Sequence, residues 1–124
     1  MNYSISVTDS FDARHYVVSP NGQVEEPHFH TWSVKVTVSS KKLDNLGFVM
    51  DFHDLLQIVK DAYLPLVNCS IINSLSTFKD NPPTAERMAE FFVNQLLSML
   101  PDKVKLVSVE IEESKNCIAT ITMS

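Results

Sequence analysis

The chain has 124 residues, 44% apolar and 20% charged, with a net charge of −5, the composition of one domain (1–124) with a real core and too short for two. It carries no Lys/Arg run or basic stripe, which argues against nucleic acid or an anionic membrane as a partner. Two cysteines, no basic-then-apolar leader and no apolar run of bilayer length lead us to expect a reducing, cytoplasmic setting without a disulfide framework.

Tyr3 to Val7 alternate apolar and polar residues, and Phe11, Ala13 and His15 extend the alternation, across a bulge if one is needed. Residues 18–27 contain two prolines, Asn21-Gly22 and Glu25-Glu26, and read as a loop. A second strand is expected over His28–Val38, with Val34, Val36 and Val38 on one face. Asp51 is suited to cap a helix whose stripe is Phe52, Leu55, Leu56, Val59, Ala62, Tyr63 and Leu66. Asn68 to Pro83 is a long polar connection, of a length that is usually functional. Thr84 then caps a second helix with Met88, Phe91, Phe92, Leu96 and Met99 inward, stopped by Pro101. Val107, Val109 and Ile111 mark a third strand and Ala119–Met123 a fourth, where Cys117 should pack. The order ββααββ predicts an α+β fold, a four-stranded antiparallel sheet with two helices on one face. The uncovered edges and face call for self-association.

His28 and His30 are two apart on a strand, so both project to one side. His15 ends another strand. Three imidazoles with one open position are the donor set of a catalytic zinc, with bonds of about 2.0–2.1 Å. The competing reading is two polar residues at a strand start and an unrelated histidine.

Several blocks resemble the 6-pyruvoyltetrahydropterin synthase family, which includes 6-carboxytetrahydropterin synthase. Phe11-Asp12-Ala13-Arg14-His15 is similar to its Phe-x-Ala-x-His, and His28-Phe29-His30-Thr31-Trp32 to its His-Gly-His-Asn-Tyr. Gly47-Phe48-Val49-Met50-Asp51-Phe52 resembles its strand-to-helix entry, and Asn81-Pro82-Pro83-Thr84-Ala85-Glu86 its second helix start. Val109-Glu110-Ile111-Glu112-Glu113-Ser114, with Ala119 five positions on, resembles its Val-x-Val-x-Glu-Thr and later Ala. The resemblance implies the tunnelling fold (T-fold), a barrel made by trimers that stack into hexamers. It implies zinc on His15, His28 and His30, and a pterin gripped by Glu113 at a subunit boundary. Glu113 is in phase with Val107, Val109 and Ile111, so an unbroken strand would turn it toward the apolar side, where a carboxylate needs a partner. If the strand breaks earlier, Glu113 is a solvated acid. Thr84 could touch the pterin as well as cap its helix.

The chain departs from the family where protons are moved. The family's Cys stands four residues before the first His of its His-x-His, and that position is Val24. Its Asp-His pair aligns with Asn68 and Cys69, and Phe29 replaces the Gly between the histidines. Glu25, Glu26 and Cys69 are the substitute bases: each carboxylate could work beside zinc or be a solvated loop acid, and the thiol could be a base or a small buried group. His53 should stay exposed. Arg14 and Lys35 are the cations available for a phosphate chain. The expected function is a zinc-dependent lyase acting on 7,8-dihydroneopterin triphosphate or a related pterin. The alternative is a zinc-containing pterin- or purine-binding module without turnover.

Overall fold

The computed structural model describes residues 1–124. Its elements are β1 (Tyr3–His15), β2 (His28–Ser40), α1 (Phe52–Asn68), two single 3₁₀ turns (Ile72–Ser74 and Ser76–Phe78), α2 (Ala85–Met99), β3 (Lys105–Ser114) and β4 (Cys117–Thr122). The four strands form one antiparallel sheet in the order β1-β2-β3-β4. Consecutive strands pair throughout, so every sheet connection is either a hairpin or the two-helix excursion between β2 and β3.

Alternation along the strands supplies the core. Trp32, Val34, Val36 and Val38 of β2 are buried, and so are Val109 and Ile111 of β3. Against that face lie Leu55, Val59, Ala62 and Leu66 of α1 and Met88, Ala89, Phe92 and Leu96 of α2. These positions repeat every three or four residues, the spacing that keeps one stripe of a helix inward. α1 lies over β1, and α2 over β3 and β4. Both helices begin as their sequences predict. Asp51 accepts from the His53 N–H at 2.7 Å and Thr84 from the Arg87 N–H at 3.2 Å, each satisfying a donor the helix leaves free.

Several details differ from the sequence reading. β1 runs unbroken from Tyr3 to His15 with no shift against β2. No bulge is needed because Asp9 is itself in phase with Val7 and Phe11, and the helix neutralises it. Its Oδ2 accepts from Lys60 Nζ and from the Tyr63 hydroxyl, both at 2.8 Å. Burial would raise the Asp9 carboxyl, but those bonds and the Lys60 charge hold it below its ordinary value. Tyr63 also stacks on Phe11, with centroids 4.7 Å apart. The irregularity falls instead between Thr37 and Val38, where Val38 pairs with Leu106. It puts Leu106 inside and leaves Val107 only half-buried. Phe52 is exposed, not part of the α1 stripe, and Cys117 lies on an exposed stretch of β4. The 68–83 connection is more built than its polarity suggests, since Ile72 and Phe78 are buried in the core.

The fold also assembles a basic groove that no stretch of sequence contains. Lys41 and Lys42 follow β2, Lys103 and Lys105 lead into β3, and together they line a cavity of about 600 Å³ at the Tyr3–Ser40 end of the sheet.

Candidate metal centre

At the opposite end of the sheet three imidazoles converge. His15 pairs directly with His28, and Ala13 with His30, across the antiparallel β1–β2 ladder. Directly opposed residues share a face, and so do residues two apart on one strand. All three rings therefore project to the helix-covered side. Their candidate ligand atoms lie within 4.8 Å of one another. Trp32, the next inward residue of β2, closes the floor, its ring centroid 4.8 Å from His15 and 5.6 Å from His30. The Trp32 indole N–H donates to the Ala13 carbonyl at 3.2 Å, which holds this wall in place.

Two of the rings are oriented by backbone carbonyls. His15 Nδ1 donates to the Pro83 carbonyl at 3.0 Å and His28 Nδ1 to the Glu26 carbonyl at 2.9 Å. A carbonyl oxygen only accepts, so the proton of each neutral ring sits on Nδ1 and Nε2 keeps its lone pair. This is how metal-binding histidines are characteristically set. His15 is the only buried charged or polar side chain in the molecule. Its Nε2 is buried without a hydrogen-bond partner, a costly state for a polar atom that a bound cation would relieve. Burial lowers the His15 pKa, outweighing the Pro83 hydrogen bond and the nearby Glu113 charge. It is therefore held neutral, the state a ligand requires.

Two carboxylates border the rings. Glu113 lies on β3, which continues through it to Ser114, and a shift in the β3–β4 ladder falls between Glu112 and Ser114. Its Oε1 is 3.3 Å from His15 Nε2. Glu25 sits beyond a small hairpin closed by the Val18–Val24 bridge. Its Oε1 accepts from the Val17 N–H at 2.9 Å and lies 3.8 Å from His28 Nε2. Glu26 reaches His28 only through its backbone carbonyl. Thr84 starts α2 immediately after Pro83, so the helix cap and the His15 hydrogen bond are neighbours.

Cys69 caps the C-terminal end of α1 and lies outside the three-histidine cluster. Its thiol donates to the Leu66 carbonyl at 3.2 Å, and burial pushes its pKa up, opposite to what a thiolate base needs. Val24 is exposed and His53 is 94% exposed at its helix start. Arg14 stands opposite Phe29 on the other face of the sheet, and Lys35 pairs with Glu110 at 3.7 Å. Sequence reasoning missed Asn73. Its side chain accepts from the Tyr16 N–H at 3.0 Å and donates to the Tyr16 carbonyl at 2.9 Å. That pair ties the 68–83 connection to the residue after His15. The signal was an Asn inside a segment otherwise read as a polar loop.

Fold and site together define a small α+β protein that carries a three-histidine candidate metal centre at one end of its sheet. The 6-pyruvoyl tetrahydropterin synthase family model matches residues 4–124, and the chain belongs to that family. It is 24% identical over 131 residues to a 6-carboxy-5,6,7,8-tetrahydropterin synthase of Rickettsia conorii, an alignment spanning 90% of this chain and 94% of that protein. The 6-pyruvoyl tetrahydropterin synthase of Caenorhabditis elegans superposes with a TM-score of 0.81 at 22% identity, over 100% of this chain and 97% of that one. That of Plasmodium vivax gives 0.75 at 19% identity, over 98% and 97%.

Proposed function

We propose that the protein is a zinc-dependent pterin synthase-like lyase acting on 7,8-dihydroneopterin triphosphate or a related pterin. The observation that carries this reading is the buried, unpartnered Nε2 of His15 beside His28 and His30, in a chain of a pterin synthase family. His15, His28 and His30 would hold the metal. Bound there, zinc would polarise the side-chain oxygens of the substrate and acidify the adjacent hydroxyl and C–H groups.

The chain's own residues would do the rest. Glu113 presents two oxygens to the two N–H groups of a pterin's guanidine-like edge, a geometry suited to bidentate acceptance. Glu25, held by the Val17 N–H, is the better-placed of the loop carboxylates to take a proton from the substrate side chain. The Trp32 floor keeps water from the inner side of the rings. The relatives' names support pterin binding, and the open sheet edges support self-association, which the family resemblance puts at trimers or hexamers.

Product analysis after incubating the zinc-loaded protein with 7,8-dihydroneopterin triphosphate tests the reading. A 6-pyruvoyl or 6-carboxy tetrahydropterin supports it. The exposed Val24, where the family has a thiol, favours a second reading: a zinc-containing pterin- or purine-binding module. Tight pterin binding with unconsumed substrate would select that one.

A further inference from the structure

We propose that the Glu113 carboxylate is the fourth donor of the metal centre while no pterin is bound, and that a pterin opens the centre by drawing this carboxylate onto its own N–H groups. The inference rests on the three imidazoles being metal ligands and adds a residue to them.

The first support is an otherwise unfavourable contact. His15 commits its ring proton to Pro83, so Nε2 and Glu113 Oε1 face each other as two acceptors 3.3 Å apart. The contact does not have the geometry of a hydrogen bond, and Nε2 has no other partner. A proton between the two atoms does not account for the approach. A cation bound by both does.

The second support is proximity. Glu113 Oε1 stands 3.3 Å from His15 Nε2, inside the 4.8 Å within which the three imidazole ligand atoms lie of one another, so a small movement of one side chain brings the carboxylate to a cation held there.

The third support is that Glu113 is otherwise uncommitted. No Lys or Arg lies within ion-pairing distance of it, and its side chain keeps 30% of its surface. It sits at the register shift between Glu112 and Ser114 in the β3–β4 ladder, the kind of irregularity that re-aims a side chain. Glu25 is the rival, but it stands farther from its imidazole and already holds the Val17 N–H. Turning both oxygens onto the two N–H groups of a pterin edge takes Oε1 away from His15 Nε2, so pterin binding competes with metal ligation by Glu113.

Cobalt(II) in place of zinc makes the coordination visible, and chelator competition gives the metal affinity. Without pterin, Glu113→Gln should bind Co²⁺ at least about tenfold more weakly than wild type and show a changed ligand-field spectrum, whereas Glu25→Gln should do neither. Adding neopterin to the wild type should move its spectrum toward that of Glu113→Gln. If circular dichroism shows Glu113→Gln to be unfolded, Glu113→Asp, one methylene shorter, should give the same loss. Wild-type affinity and spectrum in a folded Glu113 variant would overturn the inference. If that variant instead loses only neopterin, Glu113 is the pterin anchor alone and the proposed function stands. A wild type that takes up no metal would remove both.

Discussion

Glu25 and Glu26 are adjacent in sequence yet bring different atoms to the site. Glu25 offers a carboxylate 3.8 Å from His28 Nε2, and Glu26 a backbone carbonyl that sets the tautomer of the same ring. A side-chain substitution should therefore separate them. Glu25→Gln is expected to lower turnover by about 10²-fold or more, the usual weight of a general base. Glu26→Gln and Cys69→Ser should do much less, since neither side chain makes a polar contact with the rings. Steady-state kinetics of the three variants checks the ranking, and a Cys69→Ser variant without turnover would refute it. Glu113→Gln should weaken pterin binding by about 1.5–3 kcal/mol, the scale of a charge-assisted hydrogen bond; calorimetry reads this directly. The common side of His28 and His30 was legible because period-two alternation fixes it, whereas His15 joins them through the β1–β2 register, which the sequence does not display. The carbonyls of Pro83 and Glu26 were not, since backbone acceptors leave no mark on residue identity.

At the scale of elements, strand and helix existence followed from periodicity, and the errors came where a single residue broke it. The sequence reading allowed a bulge between Val7 and Phe11, where Asp9 stands. In the structure it is an inward residue whose charge Lys60 and Tyr63 of α1 satisfy. Ile72 and Phe78 were lost among polar neighbours, because two short 3₁₀ turns have no long apolar repeat to reveal them. The Asp9 network is testable. Asp9→Asn should destabilise the fold by about 1 kcal/mol, a charged hydrogen bond discounted for its partial exposure. The pH dependence has a definite sign. The folded-state pKa of Asp9 lies below its ordinary 3.8. Its contribution is thus complete above that value and is lost as pH falls through the folded pKa. Denaturant titrations should show wild type and Asp9→Asn differing at neutral pH and converging in acid.

For the whole molecule, the sheet ends in two unpaired edges. β1 presents a strand of 13 residues, and β4 exposes Ile118. A long free edge is a template for pairing, so self-association is expected, as the trimer or hexamer that the family resemblance implies. Light scattering that returned the single-chain 14.0 kDa at micromolar concentration would contradict it. The basic groove of Lys41, Lys42, Lys103 and Lys105 shows why charge is harder to read than fold. Its two halves are separated by both helices and meet only because β2 and β3 are neighbours.

The account turns on the three imidazoles, and metal stoichiometry tests it most directly. Atomic emission on the purified wild type should give one zinc per chain, and His28→Ala, folded by circular dichroism, should lose most of it, because two remaining histidines fall below the three protein ligands of such a centre. Full zinc content in His28→Ala would contradict the assignment.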